Sequence, residues 1–501
     1  MLAAVSWIVS GALYLTLPPS PDQSNHAYLG WRLLEGDIPF RDVIDTNWPG
    51  VMALHALATW IFGVNLWSWR AFDFALFAAS ALFLSDLARL AAGRDAGRLC
   101  LIHCPLIYAG LTYWLAGQHD MSAAQFLVAA LWCHVRGYEK RAWWLQIGTG
   151  LCIGAAMLNK PTVGVIGLLL PMQALWLRIP LRPILAHTAV AGIASVAALL
   201  AALGALLAKG ASLRDVLDAT YSYHIGTQYV GPRTFPDMLV WLVQHHFQFF
   251  PLVTLGSMPA AYWMHKRANR SMASAALFVL WAAGALSFFI QWRGLNYHLA
   301  PCVLALSAGL AVSVSLVAAG GAEFGNTPWK QRIVAGATAL ALAGIVVKLA
   351  ASYRSLPLTL LGGEYGAHLA RFEAGDKLTY ADVTAFVHRL DALAPADCVL
   401  LVGDASSINY LSRRRMPTRF YYYHSLVHAQ PPLSMAERWA ELWKADLRAA
   451  DCKFTLVSRV VATRWLLDPT PAPEALRLYL DRYRETGSIG SERGIAVYER
   501  R

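Results

Sequence analysis

The sequence is poor in charge for its length. Only 15% of its 501 residues are Asp, Glu, Lys or Arg, whereas about 25% is usual in a soluble chain. Long apolar runs account for the shortfall up to residue 355, and residues 357–501 have an ordinary soluble composition. The pattern excludes a wholly soluble protein. It predicts a membrane domain, residues 1–355, followed by a soluble domain, residues 357–501.

The signatures of nucleotide, zinc and serine-hydrolase chemistry are also absent. The sequence has no P-loop, no dinucleotide-binding GxGxxG, no GxSxG, no HExxH and no zinc-type cysteine spacing. Any chemistry must therefore use carboxylates, bases and cations at the membrane surface. The sequence indicates no required cofactor, and it leaves open whether a divalent cation takes part.

Two of the seven cysteines differ from the rest. Five lie in or beside apolar runs and are explained as core residues. Cys398 and Cys452 instead open two similar runs, DCVLLVGD and DCKFTLVS, in the C-terminal part. If these runs are neighbouring parallel strands, the sulfurs can meet in a disulfide, which needs Cα atoms within about 7 Å. A disulfide and two free thiols both remain open.

Eleven apolar segments approach the length of about 20 residues that a membrane span needs. The first lacks a basic leader and an A-x-A cleavage site, which indicates a retained span. The LNKPTVG stretch between the fifth and sixth leaves open a break inside one re-entrant unit. The segments are 2–18, 66–90, 97–115, 121–136, 142–159, 161–178, 183–208, 246–264, 272–290, 297–319 and 333–352.

Basic residues indicate how these spans are oriented. With a cytoplasmic N-terminus, the inside loops carry clusters such as Arg136, Lys140 and Arg141, and the short outside loops carry few basic residues. Eleven crossings then place the C-terminal domain outside the cytoplasm, and we expect a multi-pass protein of the cell (inner) membrane. The net charge of +11 follows from this topology, so nucleic acid is not predicted as a partner.

The first outer loop and the C-terminal part carry the remaining structural signals. In the loop, HAYLGWRLLEG ends on Gly36 and VMALHALATWIFG ends on Gly63, which predicts two helices lying in the membrane interface. After residue 357, the strand-like runs CVLLVG, FTLVS and IAVYER alternate with helix-like runs that include LRLYLDRYRET. This alternation predicts a small α/β sheet with helices packed against it.

Acids in the first outer loop are the first candidate functional groups. Asp22 follows the first span almost at once, and a carboxylate at the bilayer surface can act as a base towards a hydroxyl. Asp37 is better explained as a solvated acid that caps a helix. Arg41, Asp42 and Asp45 lie in the same loop and are candidates for substrate contacts.

A second group of candidates lies at the predicted outer ends of spans. His119 and Asp120 open the fourth span, where an acid is also an ordinary helix cap. Snorkelling explains any single basic residue at a span end. Several of them around two carboxylates would instead suit an anionic, lipid-linked phosphate. The basic candidates are Arg70, Lys160, Arg293 and His298.

Four stretches together resemble the GT-C glycosyltransferases, in particular the protein mannosyltransferases and lipid A aminoarabinose transferases. They are PDQSNHAYLGWRLLEGDIPFRDVIDTNWPG, HDMSAAQFLVAALWCHVRG, GAAMLNKPTVGVIGLLLP and RGLNYHLAPCVLALSAG, in that order within residues 1–320. The first resembles the family in its acid after the first span and in its G-x-x-P-[YF]-x-D stretch. One departure is Asn47-Trp48-Pro49-Gly50, where the aminoarabinose transferases have a Lys before paired prolines. It leaves the donor's identity open.

The resemblance implies an α-helical, polytopic GT-C fold and an inverting glycosyl transfer. A sugar would move from a polyprenyl-phosphate-linked donor to a hydroxyl of a glycan, lipid or protein acceptor, with membrane lipids as surroundings. It implies that Asp22 is the catalytic base and Asp120 the second acid. Arg70 and Lys160 would bind or orient the donor phosphate. Apart from the resemblance, these two carboxylates, Asp22 and Asp120, are the candidate ligands of any divalent cation, and the sequence offers no clear third ligand.

Two other functions compete with transfer. A transporter or flippase of lipid-linked sugars would show internal hydropathy symmetry and charges in mid-span. Neither is evident, and Asp86, near the inner end of its run, is the one acid identified within a long apolar run. A non-catalytic subunit of a cell-envelope glycan assembly complex would use the outer C-terminal domain as its binding part.

Overall fold

A computed structural model describes most of the chain, and the described part is mainly helical. Four described helices are long and apolar enough to cross a membrane, Ser68–Ala92, Leu181–Ala208, Met272–Gln291 and Asn296–Leu316, and shorter apolar helices accompany them. The chain is a membrane protein, and the count of eleven spans stays a prediction. The described residues are 1–111, 113–226, 234–249, 254, 257, 271–318, 328–354, 356, 365–392, 394, 397–422, 425–426, 435–464, 471–490 and 494–501.

The N-terminal segment forms three helices, α1 (Leu2–Leu15), α2 (Pro21–Leu34) and α3 (Pro49–Phe62). A proline occupies the first position of α2 and of α3, where its missing N–H costs no hydrogen bond. Ser20 caps α2 in a reciprocal capping box with Gln23. Helix α3 ends at Gly63, with φ +79°, and α2 ends just before Gly36, with φ +94°. The predicted ends of both helices are confirmed.

Long helices follow, with one break that proline explains. Lys160 is extended (φ −150°, ψ 97°) and separates α7 from a 3₁₀ turn, Pro161–Val165. A proline disfavours the helical conformation of the residue before it, so the break is encoded in LNKPTVG. The helices are α4 (Ser68–Ala92), α5 (Arg94–Ala109), α6 (His119–Glu139), α7 (Trp143–Asn159), α8 (Ile166–Trp176) and α9 (Leu181–Ala208).

The chain continues with helices of mixed length and a short π-helical turn, Asp218–Ser222. The predicted span 246–264 lies largely outside the described residues. A second 3₁₀ turn, Asn296–Leu299, leads into a long helix. The helices are α10 (Leu213–Leu217), α11 (Tyr223–Gly226), α12 (Phe235–Phe249), α13 (Met272–Gln291), α14 (Ala300–Ala318) and α15 (Pro328–Tyr353).

Contacts divide the chain into two compact units. Unit 1 comprises Met1–Thr16, Asp73–Ala202 and Pro232–Arg354, and unit 2 comprises Leu17–Phe72, Leu203–Gly231 and Ser355–Arg501. This grouping joins the first outer loop to the C-terminal part. It does not report which residues lie in the membrane, so the division into domains 1–355 and 357–501 stays a prediction.

A buried carboxylate ties helices of unit 1 together. Asp73 accepts hydrogen bonds from Tyr14 Oη at 2.5 Å, from Tyr108 Oη at 2.7 Å and from Gln125 Nε2 at 3.3 Å. These residues lie on α1, α4, α5 and α6. A buried carboxylate is costly unless hydrogen-bonded, and three donors satisfy this one.

In unit 2, helices α2 and α3 cross at a glycine. A Cβ added at Gly30 would lie 2.5 Å from the backbone N of Ala56 and 2.5 Å from the carbonyl carbon of His55. No larger side chain fits without separating the two backbones. The sequence therefore needs glycine at position 30 to pack the helix that carries Asp22.

The C-terminal part contains all the described strands. Strands β1 (Glu373–Gly375) and β2 (Leu378–Thr379) form a hairpin, and a four-stranded sheet has the order β3-β4-β6-β5. Strands β3 and β4 are parallel, and the other neighbours are antiparallel. The sheet strands are β3 (Val399–Val402), β4 (Phe454–Ser458), β5 (Tyr483–Ile489) and β6 (Ile495–Arg500).

Among the described residues of this part, six helices accompany the strands, so its predicted α/β composition is confirmed. One prediction was wrong, because the run LRLYLDRYRET does not form a single helix. The helix ends at Leu480, and Tyr483 begins β5. The helices are α16 (Tyr365–Leu369), α17 (Tyr380–Leu390), α18 (Ser407–Ser412), α19 (Ala436–Ala449), α20 (Arg459–Arg464) and α21 (Pro471–Leu480).

A disulfide joins the two parallel strands at their starts. Cys398 and Cys452 are bonded, with Cα atoms 4.9 Å apart. Cys398 directly precedes Val399, and Cys452 lies two residues before Phe454, the residue opposite Val399. The disulfide that the sequence left open is confirmed, and its cause is the parallel pairing of the two similar runs.

We expect the double substitution Cys398→Ser, Cys452→Ser to destabilise the C-terminal part by about 4 kcal/mol. Without the disulfide the unfolded chain gains conformational entropy, and for a loop of this length the gain corresponds to about that free energy. The two cysteines are 54 residues apart in sequence. Thermal unfolding with and without dithiothreitol measures the effect. Reductant should lower the melting temperature of the wild type and leave that of the double variant unchanged. Equal sensitivity of both proteins would contradict the prediction.

Candidate functional site

Asp22 lies in the first turn of α2, in unit 2. It follows Pro21, which opens the helix, and its side chain is half-buried. The apolar pattern predicts a helix from His26, with Asp22 in the loop before it, but the helix begins five residues earlier, at Pro21. The free N–H groups of a helix N-terminus favour negative charge. The position therefore favours the ionised carboxylate that a base requires.

The groups around Asp22 are buried and titratable. Burial lowers the pKa of His26, and the charges of Asp45 and Asp22 oppose that shift. Burial also raises the pKa of Tyr421 well above its usual value, assisted by Asp45 and Asp22. At neutral pH the imidazole of His26 and the phenol of Tyr421 are therefore both uncharged.

Asp404 is a carboxylate near Asp22 that the sequence analysis missed. It follows β3, and its Oδ1 accepts a hydrogen bond from Asn25 Nδ2 at 2.9 Å. Burial, then the charges of Asp376 and Asp22, hold the pKa of Asp404 well above its usual range. Its signal in the sequence was its place at the carboxyl end of CVLLVGD, the edge at which parallel sheets present polar groups.

The other acids and the arginine of the first loop are engaged locally. Arg41 is exposed and pairs with Asp42 at 2.8 Å, and this contact lowers the pKa of Asp42. Asp45 is 1% exposed and accepts a hydrogen bond from Asn47 Nδ2 at 3.0 Å. These contacts shape the loop, and the substrate-binding roles of Arg41, Asp42 and Asp45 stay predictions.

Asp37 forms an ion pair with Arg32, and both side chains are largely buried. The expectation of a solvated capping acid was therefore wrong in detail. Burial disfavours an isolated charge, and the ion pair with Arg32 offsets part of that cost. Asp37 is thus occupied in holding the C-terminal end of α2.

Arg70 is fully buried near the start of α4. Its Nε and Nη2 donate hydrogen bonds to the carbonyl oxygen of Pro18, at 3.2 Å and 2.7 Å. Pro18 lies two residues before the Ser20 cap of α2. Arg70 therefore fixes the segment that leads into Asp22, and its predicted contact with a donor phosphate stays a prediction.

Unit 1 brings together a cluster at the start of α6, which we call the Asp120 cluster: Asp120, His119, Lys160 and Gln291. Asp120 is 2% exposed. Lys160 Nζ lies 3.3 Å from its Oδ2, and His119 Nε2 lies 3.1 Å from the same atom. The side chain of Gln291 forms a hydrogen bond with the Asp120 carboxyl group. Lys160 reaches Asp120 because the chain breaks at Lys160, between α7 and the 3₁₀ turn.

Arg293 and His298 lie just after α13, close to this cluster. Trp292 ends α13 in the left-handed conformation (φ 53°), and Gly294 follows with φ 63°. The chain therefore turns sharply through Arg293. His298 is 1% exposed, and the charges of Lys160 and Arg293 act on it. Three of the predicted basic candidates are thus gathered in unit 1.

The expectation that Asp86 is the one acid within a long apolar run was wrong, because Asp73 also lies within α4. Asp86 pairs with Arg89 at 2.6 Å and accepts a hydrogen bond from Trp132 Nε1 at 2.8 Å. Both acids are held by neighbouring side chains, which is a structural role.

The predicted site residues therefore fall into two groups. Asp22, Asp45 and Arg70 belong to unit 2, and Asp120, His119, Lys160, Arg293 and His298 belong to unit 1. The convergence of Asp22 with Asp120 stays a prediction. Within the part of the chain that the structure describes, no group of three or more His, Cys, Asp or Glu side chains is arranged to hold a metal ion.

Comparisons with known proteins point to one class of membrane enzyme. A family model described as dolichyl-phosphate-mannose-protein mannosyltransferase matches residues 47–209. The human Protein O-mannosyl-transferase TMTC2 is 29% identical over 108 residues, 20% of this chain. The chain matches only 13% of the length of that curated relative.

Solved structures share the fold over nearly the whole chain. ArnT from Cupriavidus metallidurans, in a crystal structure with undecaprenyl phosphate, has a TM-score of 0.60 and 14% identity, covering 99% of this chain and 96% of that one. The apo oligosaccharyltransferase of Archaeoglobus fulgidus has a TM-score of 0.51 and 13% identity, covering 98% and 74%. At such identities the likeness shows a common fold.

Proposed function

We propose that the chain is an inverting glycosyltransferase of the GT-C superfamily. Its fold is shared with ArnT and with the archaeal oligosaccharyltransferase, and a protein mannosyltransferase family model matches residues 47–209. It moves a sugar from a polyprenyl-phosphate-linked donor to a hydroxyl of a glycan, lipid or protein acceptor. The undecaprenyl phosphate bound to ArnT supports a lipid-phosphate donor. The reaction takes place at the outer face of the cell membrane.

The placement of Asp22 carries this proposal. Its carboxylate stands in the first turn of a capped helix, where the helix N-terminus favours its charge. Arg70 holds Pro18, just before the turn, and the capping box between Ser20 and Gln23 closes the turn itself. A base must be held within hydrogen-bond reach of the proton that it takes. In this proposal Asp22 removes the proton of the acceptor's hydroxyl group while the oxygen of that hydroxyl group attacks the anomeric carbon.

The basic residues of unit 1 serve the leaving group. As the sugar–phosphate bond breaks, negative charge grows on the polyprenyl phosphate, and fixed positive charges stabilise it. Lys160 and Arg293 supply such charge, and His298 lies within their electrostatic reach. Asp120 holds Lys160 in place through their ion pair. In this proposal Asp120 positions the cation, and Asp22 performs the proton transfer.

The stereochemistry of the product tests the reaction class. We expect the purified protein, given radiolabelled undecaprenyl-phosphate sugars together with membrane extract as the source of acceptor hydroxyls, to release undecaprenyl phosphate and to form a glycoside of inverted anomeric configuration. A single displacement at the anomeric carbon requires that outcome. Nuclear magnetic resonance of the product measures it, with the donor's own configuration as reference. Retention would contradict the single displacement. Movement of the donor across a vesicle membrane without bond cleavage would instead indicate a flippase.

A further inference from the structure

The C-terminal part contacts one face of α2, all within unit 2. Ser24 Oγ lies 2.5 Å from the hydroxyl of Tyr380, and Asn25 Nδ2 donates to Asp404 Oδ1 at 2.9 Å. One turn further along, Tyr28 Oη accepts a hydrogen bond from the backbone N–H of Met416 at 2.8 Å. Residues three and four apart are neighbours on a helix surface. Asn25 and its partner therefore lie on the same face as Asp22.

Asp404 is itself held rigidly. Its backbone N–H donates a hydrogen bond to Asp376 Oδ2, in the turn between β1 and β2. At Gly375, with φ +108°, the two backbones approach so closely that a Cβ would collide with the carbonyl oxygen of Asp404. Strand β3, which ends two residues before Asp404, is anchored to β4 by the disulfide at Cys398. A contact with Asp404 is therefore a contact with a fixed point.

We propose that Asp404 is a positioning residue for the sugar transfer, an inference that rests on the proposed function. Asp404 acts through Asn25 and so holds the face of α2 that carries Asp22. The Asn25–Asp404 hydrogen bond lies about one helical turn from Asp22 and on the same face of α2. Loss of it frees the first turns of α2 to shift. A displacement of 1 Å in a reacting group lowers a rate by about 10²-fold.

Charge around the pair determines which substitution is conservative. Burial raises the pKa of Asp404, and the neighbouring acids raise it further, so its carboxyl stays protonated where an exposed one is ionised. Asparagine then reproduces both its neutrality and its acceptor oxygen. The titratable groups that face Asp404 and Asp22 are Glu373 and Asp376 from the β1–β2 hairpin, His26 from α2, Asp45 from the first loop, and Tyr421.

Three variants of the full-length chain test the proposal. We expect Asp404→Ala and Asn25→Ala to lower kcat roughly 10-fold to 100-fold with little change in the KM of a radiolabelled undecaprenyl-phosphate sugar. Asp404→Asn should keep kcat within about twofold, because its Oδ1 still accepts from Asn25 Nδ2. Asp391→Ala is the matched control, since this acid belongs to the same part of the chain and its side chain is 67% exposed.

Several outcomes would overturn the proposal. Wild-type kcat in both alanine variants would show that the contact has no part in transfer. Equal impairment of Asp404→Asn and Asp404→Ala would assign the effect to charge instead of the hydrogen bond. If Asp404→Ala does not fold, Asn25→Ala decides, since it removes the same bond from the other side. Failure of the wild type to transfer any sugar, by contrast, would contradict the proposed function itself.

Discussion

Replacement of Asp22 by Asn is expected to lower kcat by about 10²-fold to 10⁴-fold, the range that general-base catalysis supplies. The amide keeps the size of the side chain and its place in the capped first turn of α2, but it cannot accept the acceptor's proton. The KM for the donor should change little, because the proposed phosphate contacts lie on other residues. Initial rates with a radiolabelled undecaprenyl-phosphate sugar measure the effect.

Asp95→Asn provides a matched control for this experiment. Asp95 is also an acid in the first turn of a helix, α5, but its side chain is 72% exposed and pairs with Arg98 at 3.3 Å. We expect this variant to transfer at the wild-type rate. Asp22→Glu should give an intermediate rate, since the carboxylate is kept but moved by one methylene. Transfer by Asp22→Asn at the wild-type rate would show that Asp22 is not the catalytic base.

The second large effect is expected at Lys160. Replacement by Met leaves Asp120 as a buried carboxylate without its cation, and removal of one partner from a buried ion pair costs about 3–5 kcal/mol. The melting temperature in detergent should fall, and the KM for the lipid-linked donor should rise. Lys160→Arg keeps the charge and should lose much less stability.

A double substitution separates the two roles of Lys160. In Lys160→Met, Asp120→Asn no charge is left unpaired, so most of the lost stability should return. Donor binding should not return, because the cation is still missing. Recovery of both stability and donor binding would show that Lys160 has no contact with the phosphate. No recovery of stability would show that Lys160 stabilises the fold by packing and not by pairing with Asp120.

Local signals predicted local structure well. Gly36 and Gly63 predicted the ends of two helices, because a glycine readily takes the positive φ that ends a helix. The SPDQ sequence at residues 20–23 carried an equally good signal for the start of α2, a Ser cap followed by Pro. The start was nevertheless assigned to His26, since the apolar pattern begins only there. That error placed Asp22 in a loop instead of in a helix.

Contacts between distant segments could not be predicted in the same way. Nothing in CVLLVGD indicates that its aspartate contacts Asn25, because that pairing depends on how the C-terminal sheet packs against α2. The same holds for Asp37, whose partner Arg32 was visible in sequence but whose burial was not. The disulfide is an intermediate case: the two similar runs suggested parallel strands, and the pairing of those strands then brought the sulfurs together.

Strand β5 shows how a pattern misleads. The residues LRLYLDRYRET suit an amphipathic helix up to Leu480, and the arginines and tyrosines that follow continue the pattern. The chain nevertheless turns into a strand at Tyr483, which pairs with Arg500 at the end of β6. Pairing with a strand that comes later in the chain overrides a weak local preference for helix.

The bond between Asn25 and Asp404 also bears on how the protein is made. The two residues are 379 positions apart, so at roughly 5–20 residues per second a ribosome needs about 20–75 s to supply the second partner after the first. During that interval Asn25 lacks its hydrogen-bond partner. In the proposed site, a chain that has not reached residue 404 therefore carries its base, Asp22, on a segment without this contact.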